Sequence, residues 1–467
     1  MERGSQQFEP VYWEIAIPEL VAQLRDTDPG GIAFLGGSVS THLWNVVNRF
    51  SQALSTRPPV IYGLGQSLSG EAALASSSDE LFGAPDVPYY DVANAEIVYS
   101  FGANFLETWV SPVLYSRAYG EKRRGDLGQR GLLAQFESRL SSTATSADEW
   151  IPIRPGTEGL AALGLGRLLV DGGLMDAGAE FASLYDGVNM NEVVEVTGVS
   201  IERLQRLARI FASVPNVLAI PGSTIAAREG GAAAMAAVQS LNLLAGRLGQ
   251  PGGVYLPPLP PGDDFAPAPL STYADVEALI ADMAAGRVQV LMVHGTNPAF
   301  ELPASSGFVE ALQNVRLVVS FSPTVDETAA LADLILPDHT ALEAWGYHVP
   351  VVADRTVVSS QQPIIRPRHQ TRATADVFLA VAAELGGELG QALPWANEVE
   401  LLTESLAPFG EGAATPQAFW ADGRRRGGYW TDAPERRAPA LASAPAGPLA
   451  VSLPAAAGQE FPFDLHL

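Results

Sequence analysis

Asparagine, threonine and acid side chains placed just after glycine, where apolar runs end, carry the chemistry this chain offers. Residues 288–298 read VQVLMVHGTNP, and residues 316–337 read RLVVSFSPTVDETAALADLILP. Gly295 lets a backbone approach a ligand closely. Thr296, Asn297, Thr324 and Thr328 add short hydrogen-bonding groups. A second set lies at SFGAN (100–104), at RGLLAQFESR (130–139) with its acid Glu137, and at DEWIPIRPGTEG (148–159). The order is strand and small-residue loop, strand with a terminal acid, then P-G-T-E opening a helix. That order suits a nucleotide, with phosphates near glycine turns and helix N-termini and an acid on ribose hydroxyls or guanine amines.

Strands must position these loops. The apolar runs are rich in β-branched residues and lack polar alternation, so they read as strands of buried parallel sheets. Ligands of open α/β sheets sit beyond the carboxyl ends of such strands. EIVYSFGAN (96–104) and VLMVHGTNP (290–298) each place glycine, a small residue and asparagine after a strand, a weak internal repeat. Near the start, Trp13 to Leu24 has helical spacing, GGIAFLGG (30–37) reads as a strand, and Ser38 or Ser40 is set to cap the next helix. A short strand follows at PVIYGL, and GLGQSLSG (63–70) reads as a two-turn loop. In 217–258, a strand ends at Gly222 and a long small-residue helix can pack close to its sheet. Arg228 in this block could meet a phosphate or lie on the surface. Trp109, Tyr115 and Tyr119 have the helical spacing of core residues. Residues 255–270, YLPPLPPGDDFAPAPL, read as a stiff proline-rich linker.

Composition excludes several classes. A chain of 467 residues should hold two or more domains. A net charge of −24 argues against nucleic acid and anionic lipid as partners. No apolar run is long enough for a membrane-spanning helix. With no cysteine the chain has no disulfide, no thiolate metal site and no cysteine-held iron–sulfur cluster. The six histidines show no metal-ligand spacing, and no histidine–carboxylate pair is evident as a general acid/base. Asp338, His339 and Glu343 read as a helix N-terminal segment capped by Asp338 or Thr340, or as residues facing a cleft or a partner. Residues 1–20 show no charged-then-apolar signal pattern, so any export is expected to rely on a partner or a missing segment.

Strand-G-small-N-P, then strand-S-x-x-x-x-x-E-T-A-x-x-A-D-x-x-L-P, then E-x-x-G, resembles the large subunit of the molybdopterin oxidoreductases (the dimethyl-sulfoxide-reductase superfamily). The resemblance covers nearly all of the chain. It implies two doubly wound, Rossmann-like α/β domains with parallel sheets related by a pseudo-twofold, each holding one of two pterin guanine dinucleotides. Because the family interleaves its halves, residues 1–88 and 271–425 are expected to form the first domain and 89–254 an inserted second. A head-to-tail split near 260 is the alternative. The tail 426–467 is expected to be irregular and to lead toward a β-barrel domain that, like the family's small N-terminal domain, is missing here.

Carried over by resemblance, the dinucleotide positions are Gly102, Asn104, Glu107, Glu137, Gly156, Thr157 and Glu158 in one half, and Gly295, Asn297, Thr324, Glu327 and Thr328 in the other. Glu158 stands where the family often has aspartate. Glu107 and Glu327 add negative charge, without basic partners nearby, where pyrophosphate would lie, which favours a vestigial site. A metal-ligating residue would have to be Ser67 or Ser69, and no catalytic residue is assigned.

SFGANFLETWVSPVLYSRAYGE, DEWIPIRPGTEG and LADLILPDHTALEAWG resemble the large iron–sulfur/molybdopterin-like subunit of alternative complex III and of polysulfide-reductase-like membrane complexes. That resemblance implies a non-catalytic scaffold in a membrane-associated quinol:electron-acceptor oxidoreductase, without bound pterin, metal or cluster. Its partners would be an iron–sulfur subunit or domain, membrane quinol-binding subunits and cytochrome c subunits, on the periplasmic face. The enzymatic alternative is the central part of a molybdenum or tungsten bis(pterin guanine dinucleotide) oxidoreductase. A stand-alone mononucleotide-binding protein is the third reading.

Overall fold

The computed structural model describes residues 4, 7–63, 69–124, 130–175, 181–226, 228–409, 421, 423, 425–440 and 447–453. The chain is mixed α/β and divides into two compact units. The first comprises residues 1–65, 259–350 and 356–433, and the second 66–258, 351–355 and 434–467.

In the first unit five parallel strands lie in the order Leu334–Ile335, Leu317–Ser320, Val290–His294, Ile32–Gly36, Val60–Ile61. Successive side chains of a strand point to opposite faces, so Ile32 and Phe34 enter one core while Ala33 and Leu35 enter another. Helices Trp13–Arg25, Thr41–Leu54 and Thr374–Leu385 cover the first face through Leu20, Leu43 and Phe378. Helices Tyr273–Ala284 and Phe308–Leu312 cover the second through Val276 and Phe308. This two-sided burial explains why the strands carry no alternating pattern. A small antiparallel sheet adds Gly346–His348, Val357–Gln361 and Gly428–Trp430. Part of the expected irregular tail is therefore a strand. Ser40 is the N-cap residue of Thr41–Leu54, but its side chain makes no cap bond and meets His42 Nδ1 at 2.9 Å instead.

In the second unit four parallel strands lie in the order Glu149–Ile151, Leu132–Phe136, Ile97–Phe101, Val217–Pro221. Helix Gly231–Leu244 packs on helices Glu158–Asp171 and Glu71–Phe82 and on strand Val217–Pro221. A Cβ at Gly159 would fall 2.7 Å from Ala234 Cβ, so glycine there permits the close helix contact. Residues 66–88, expected with the first domain, belong to this unit because Leu74 and Leu81 of helix Glu71–Phe82 are buried here. The proline-rich stretch is not a free linker either. Leu256 bridges Arg437 within the second unit, and Phe265 is buried in the core of the first.

Candidate functional site

Each sheet ends in a glycine loop built in the same way. In the second unit Gly102 follows strand Ile97–Phe101 with φ +68°, and a Cβ on the neighbouring Gly222 would land on the Gly102 carbonyl. Gly222 N–H donates to the Phe101 carbonyl at 2.9 Å. In the first unit Gly295 follows strand Val290–His294 with φ +64°, and a Cβ on Gly37 would land on the Gly295 carbonyl. Gly37 N–H donates to the His294 carbonyl at 2.8 Å. Two neighbouring parallel strands thus leave their sheet side by side, and their turns touch backbone to backbone.

Around Gly102 the side chains form a charged network. The Asn104 amide, oriented to satisfy its neighbours, donates to Glu137 Oε1 at 2.9 Å and accepts from Arg139 at 2.7 Å. Arg139 also pairs with Glu107 at 3.2 Å and Glu137 at 3.3 Å. Glu107 therefore has the basic partner that its sequence neighbourhood did not reveal. The Ser142 backbone N–H, first, and Arg139 hold its carboxyl below the usual range. Glu137 is fully buried and accepts from Ser141 Oγ at 2.6 Å and Gln135 Nε2 at 3.2 Å. Burial outweighs those bonds and raises its pKa.

The P-G-T-E turn lies in the same unit. Gly156 has φ +78°, and a Cβ there would meet the Arg228 side chain, so Arg228 lies against this turn. Thr157 Oγ1 donates to the Arg154 carbonyl at 2.6 Å. Glu158 opens helix Glu158–Asp171, is buried, and has no hydrogen-bond partner at Oε2. Burial pushes its pKa up to about 7, against the lowering effects of the backbone and Arg228. Trp109 and Tyr115 are core residues, as their spacing suggests, although Trp109 precedes helix Pro112–Arg123; Tyr119 is half-buried and donates to the Ser146 carbonyl at 2.6 Å.

Around Gly295 the network is centred on Asn297 and takes in two glutamates. Its Oδ1 accepts from Thr328 Oγ1 at 2.7 Å and Thr328 N at 3.1 Å, while its Nδ2 donates to Glu327 at 2.6 Å. Glu301 accepts from Thr296 Oγ1 at 2.7 Å and from Asn297 N at 3.1 Å. Thr324 stands apart on the exposed outer part of its loop and donates its backbone N–H to Ser322 Oγ at 3.3 Å.

One pair was missed in the sequence. His294 Nε2 lies 2.9 Å from Asp338 Oδ2. Asp338 Oδ1 accepts from His339 N at 2.7 Å and from Thr374 N at 3.0 Å. Asp338 therefore caps no local helix: residues 337–345 form turns and irregular chain, and its helix contact is with distant Thr374–Leu385. Burial opposes ionisation, but His294 and Thr374 hold the Asp338 carboxyl below its ordinary value. Glu343 accepts from Thr340 N at 3.1 Å and Arg368 N at 2.9 Å, closing a turn. Among the described residues no group of three or more His, Cys, Asp or Glu gathers as for a metal ion. Ser67 lies outside the described residues, and the Ser69 hydroxyl bonds Glu71.

The sequence model of the molybdopterin oxidoreductase family matches residues 1–384. The chain belongs to that family. It is 29% identical over 394 residues to the "menaquinone reductase, molybdopterin-binding-like subunit" of Nitratidesulfovibrio vulgaris, covering 82% of this chain and 56% of that one. It is 23% identical to formate dehydrogenase H of Escherichia coli, covering 76% and 55%. Acetylene hydratase from Pelobacter acetylenicus shares the fold with TM-score 0.70 at 18% identity, covering 86% of this chain and 62% of that one. The chain spans a little over half the length of these two curated relatives.

Proposed function

We propose that this chain is a molybdopterin-oxidoreductase-type subunit, or part of one, that serves as a non-catalytic scaffold in a membrane-associated respiratory quinol:electron-acceptor oxidoreductase. A relative named as a molybdopterin-binding-like subunit of a menaquinone reductase supports the respiratory setting. No helix among the described residues is long and apolar enough to cross a membrane. By this reading the partners are an iron–sulfur subunit or domain, quinol-binding membrane subunits and cytochrome c subunits, at the periplasmic face.

The observation that carries the non-catalytic part is the donor set at the dinucleotide positions. The turns at Gly102, Gly156 and Gly295 suit close approach of a ligand. The side chains beside them suit a pyrophosphate poorly: among the described residues Arg139 is already paired with Glu107 and Glu137 and Arg228 lies beside Glu158 in one unit, so a pyrophosphate would compete with carboxylates for these cations, and Glu301 and Glu327 flank Asn297 in the other. Carboxylates repel a phosphate dianion, and the Asn297, Thr328 and Asn104 groups are already engaged with their neighbours. The glycine turns thus leave room for such a group, while the carboxylates beside them oppose its charge.

The test is elemental analysis for molybdenum and tungsten, with pterin release, on protein purified natively with its partners. No metal and no pterin, beside co-purifying iron–sulfur and haem subunits, is the expected result. About one metal and two pterins per chain would overturn the scaffold reading and favour the enzymatic alternative.

A further inference from the structure

A large unfilled groove lies along one edge of the first unit. Its volume is about 980 Å³, and its walls include segment 7–11, helix Trp13–Arg25 and strand Leu334–Ile335. That strand is the last of its sheet, with a neighbour on one side only. An adjoining hollow of about 650 Å³ shares Phe8 and Val325 with the groove. Phe8 is 45% exposed and Val325 62% exposed, although both are large apolar residues. Exposed apolar residues that adjoin one another in a hollow mark an interaction surface.

Charge indicates what would fill it. Glu9, Glu19 and Asp333 line the groove, and Asp326 and Glu327 line the hollow. None of the described lining residues is a lysine or arginine, and the arginines that touch the lining are engaged there, Arg372 stacked on Trp13 and Arg316 donating to the Gln23 carbonyl at 3.3 Å. An edge strand pairs with an added extended segment, whose alternate side chains then face opposite ways. Apolar side chains would meet Phe8 and Val325, and basic ones the acidic rim.

We propose that this groove docks an extended polypeptide segment of a partner protein, in which apolar residues alternate with lysine or arginine. The inference is independent of whether the chain holds a pterin. Complementary charge steers such a segment inward, and the apolar wall supplies the specific contact.

The experiment is fluorescence anisotropy of a labelled peptide alternating lysine and leucine, titrated with the full chain. Glutamate/leucine and lysine/serine peptides of the same length serve as comparisons. Saturable binding of the lysine/leucine peptide alone is expected. Val325→Asp should weaken it about tenfold or more, and Glu19→Lys or added salt should weaken it too. Trp13 is part of the groove wall, so its emission should shift on binding and the shift should vanish in Trp13→Phe. Val325 and Glu19 are exposed, so an unchanged melting temperature shows that both variants remain folded. Equal binding of either comparison peptide, or binding indifferent to Val325→Asp in the folded variant, would overturn the proposal.

Discussion

The loops at Gly102 and Gly295 share a backbone solution and an asparagine two residues on, and differ in the groups gathered around them. In both, a neighbouring glycine, Gly222 or Gly37, packs against the loop carbonyl, and a strand-end carbonyl accepts the partner's N–H. Around Gly102 lies a charged network with two buried glutamates. Around Gly295 lie an amide–hydroxyl network on Asn297 and a histidine–aspartate pair. The backbone is held by steric necessity between adjacent parallel strands. The side chains answer to local burial and charge, and were free to diverge.

The largest effect should follow from breaking the shared feature. Gly222→Ala puts a Cβ onto backbone that cannot move aside, and should destabilise by about 3 kcal/mol or more. Gly286→Ala is the control: it has φ +69° with nothing near its Cβ, so only the left-handed conformation is penalised, at about 1 kcal/mol. Urea unfolding of both variants measures the difference. Equal losses would mean that the glycine contact is not what holds the loop.

Next comes the buried acid of the second unit. The Glu158 pKa, about 7 when folded, exceeds its ordinary 4.5. The folded chain thus binds this proton more tightly than the unfolded one does. The contribution of Glu158 to stability falls as pH rises from about 4.5 to 7 and stays low above that, a loss of up to about 3 kcal/mol. Glu158→Gln should flatten the pH dependence across this window and be more stable than the parent at pH above 7. A profile identical to the parent's would show that Glu158 is solvated.

The acid of the first unit should behave in the opposite sense. Asp338 has a lowered pKa, so its contribution is present above its ordinary 3.8 and is lost as pH falls through the folded value. Asp338→Ala strands the His294 and Thr374 donors and should cost about 1–3 kcal/mol at neutral pH. The imidazole chemical shifts of His294 should move with it. If they do not, the pair is not formed in solution.

The smallest effect is expected at Glu107 and Arg139. Their ion pair is partly exposed, and a double-mutant cycle should give a coupling of about 0.2–1 kcal/mol that shrinks with salt. A salt-independent coupling of several kcal/mol would place the pair in a dry site.

Parallel sheets, their buried strands and the glycine loops were legible because each is written locally. A run such as VLMV without alternation needs apolar surroundings on both faces, and glycine after it marks a tight exit. The composition likewise excluded thiolate chemistry from the chain. His294 and Asp338 were not legible as a pair, since 44 residues separate them and only the parallel placement of neighbouring strands and the following loop joins them. Nor did spacing reveal that Arg139, two residues beyond Glu137, turns back to Glu107, or that helix Glu71–Phe82 packs beside Gly231–Leu244.

Short-range sterics and burial therefore specified the strands, their exits and the family to which the chain belongs. Tertiary packing alone decided which charges meet, which carboxyl oxygen is buried without a hydrogen bond, and where apolar side chains stay uncovered. The physical reason is range. Backbone geometry and hydrophobic patterning act over a few residues, whereas the field on a carboxylate depends on every group that folding brings within several ångströms of it.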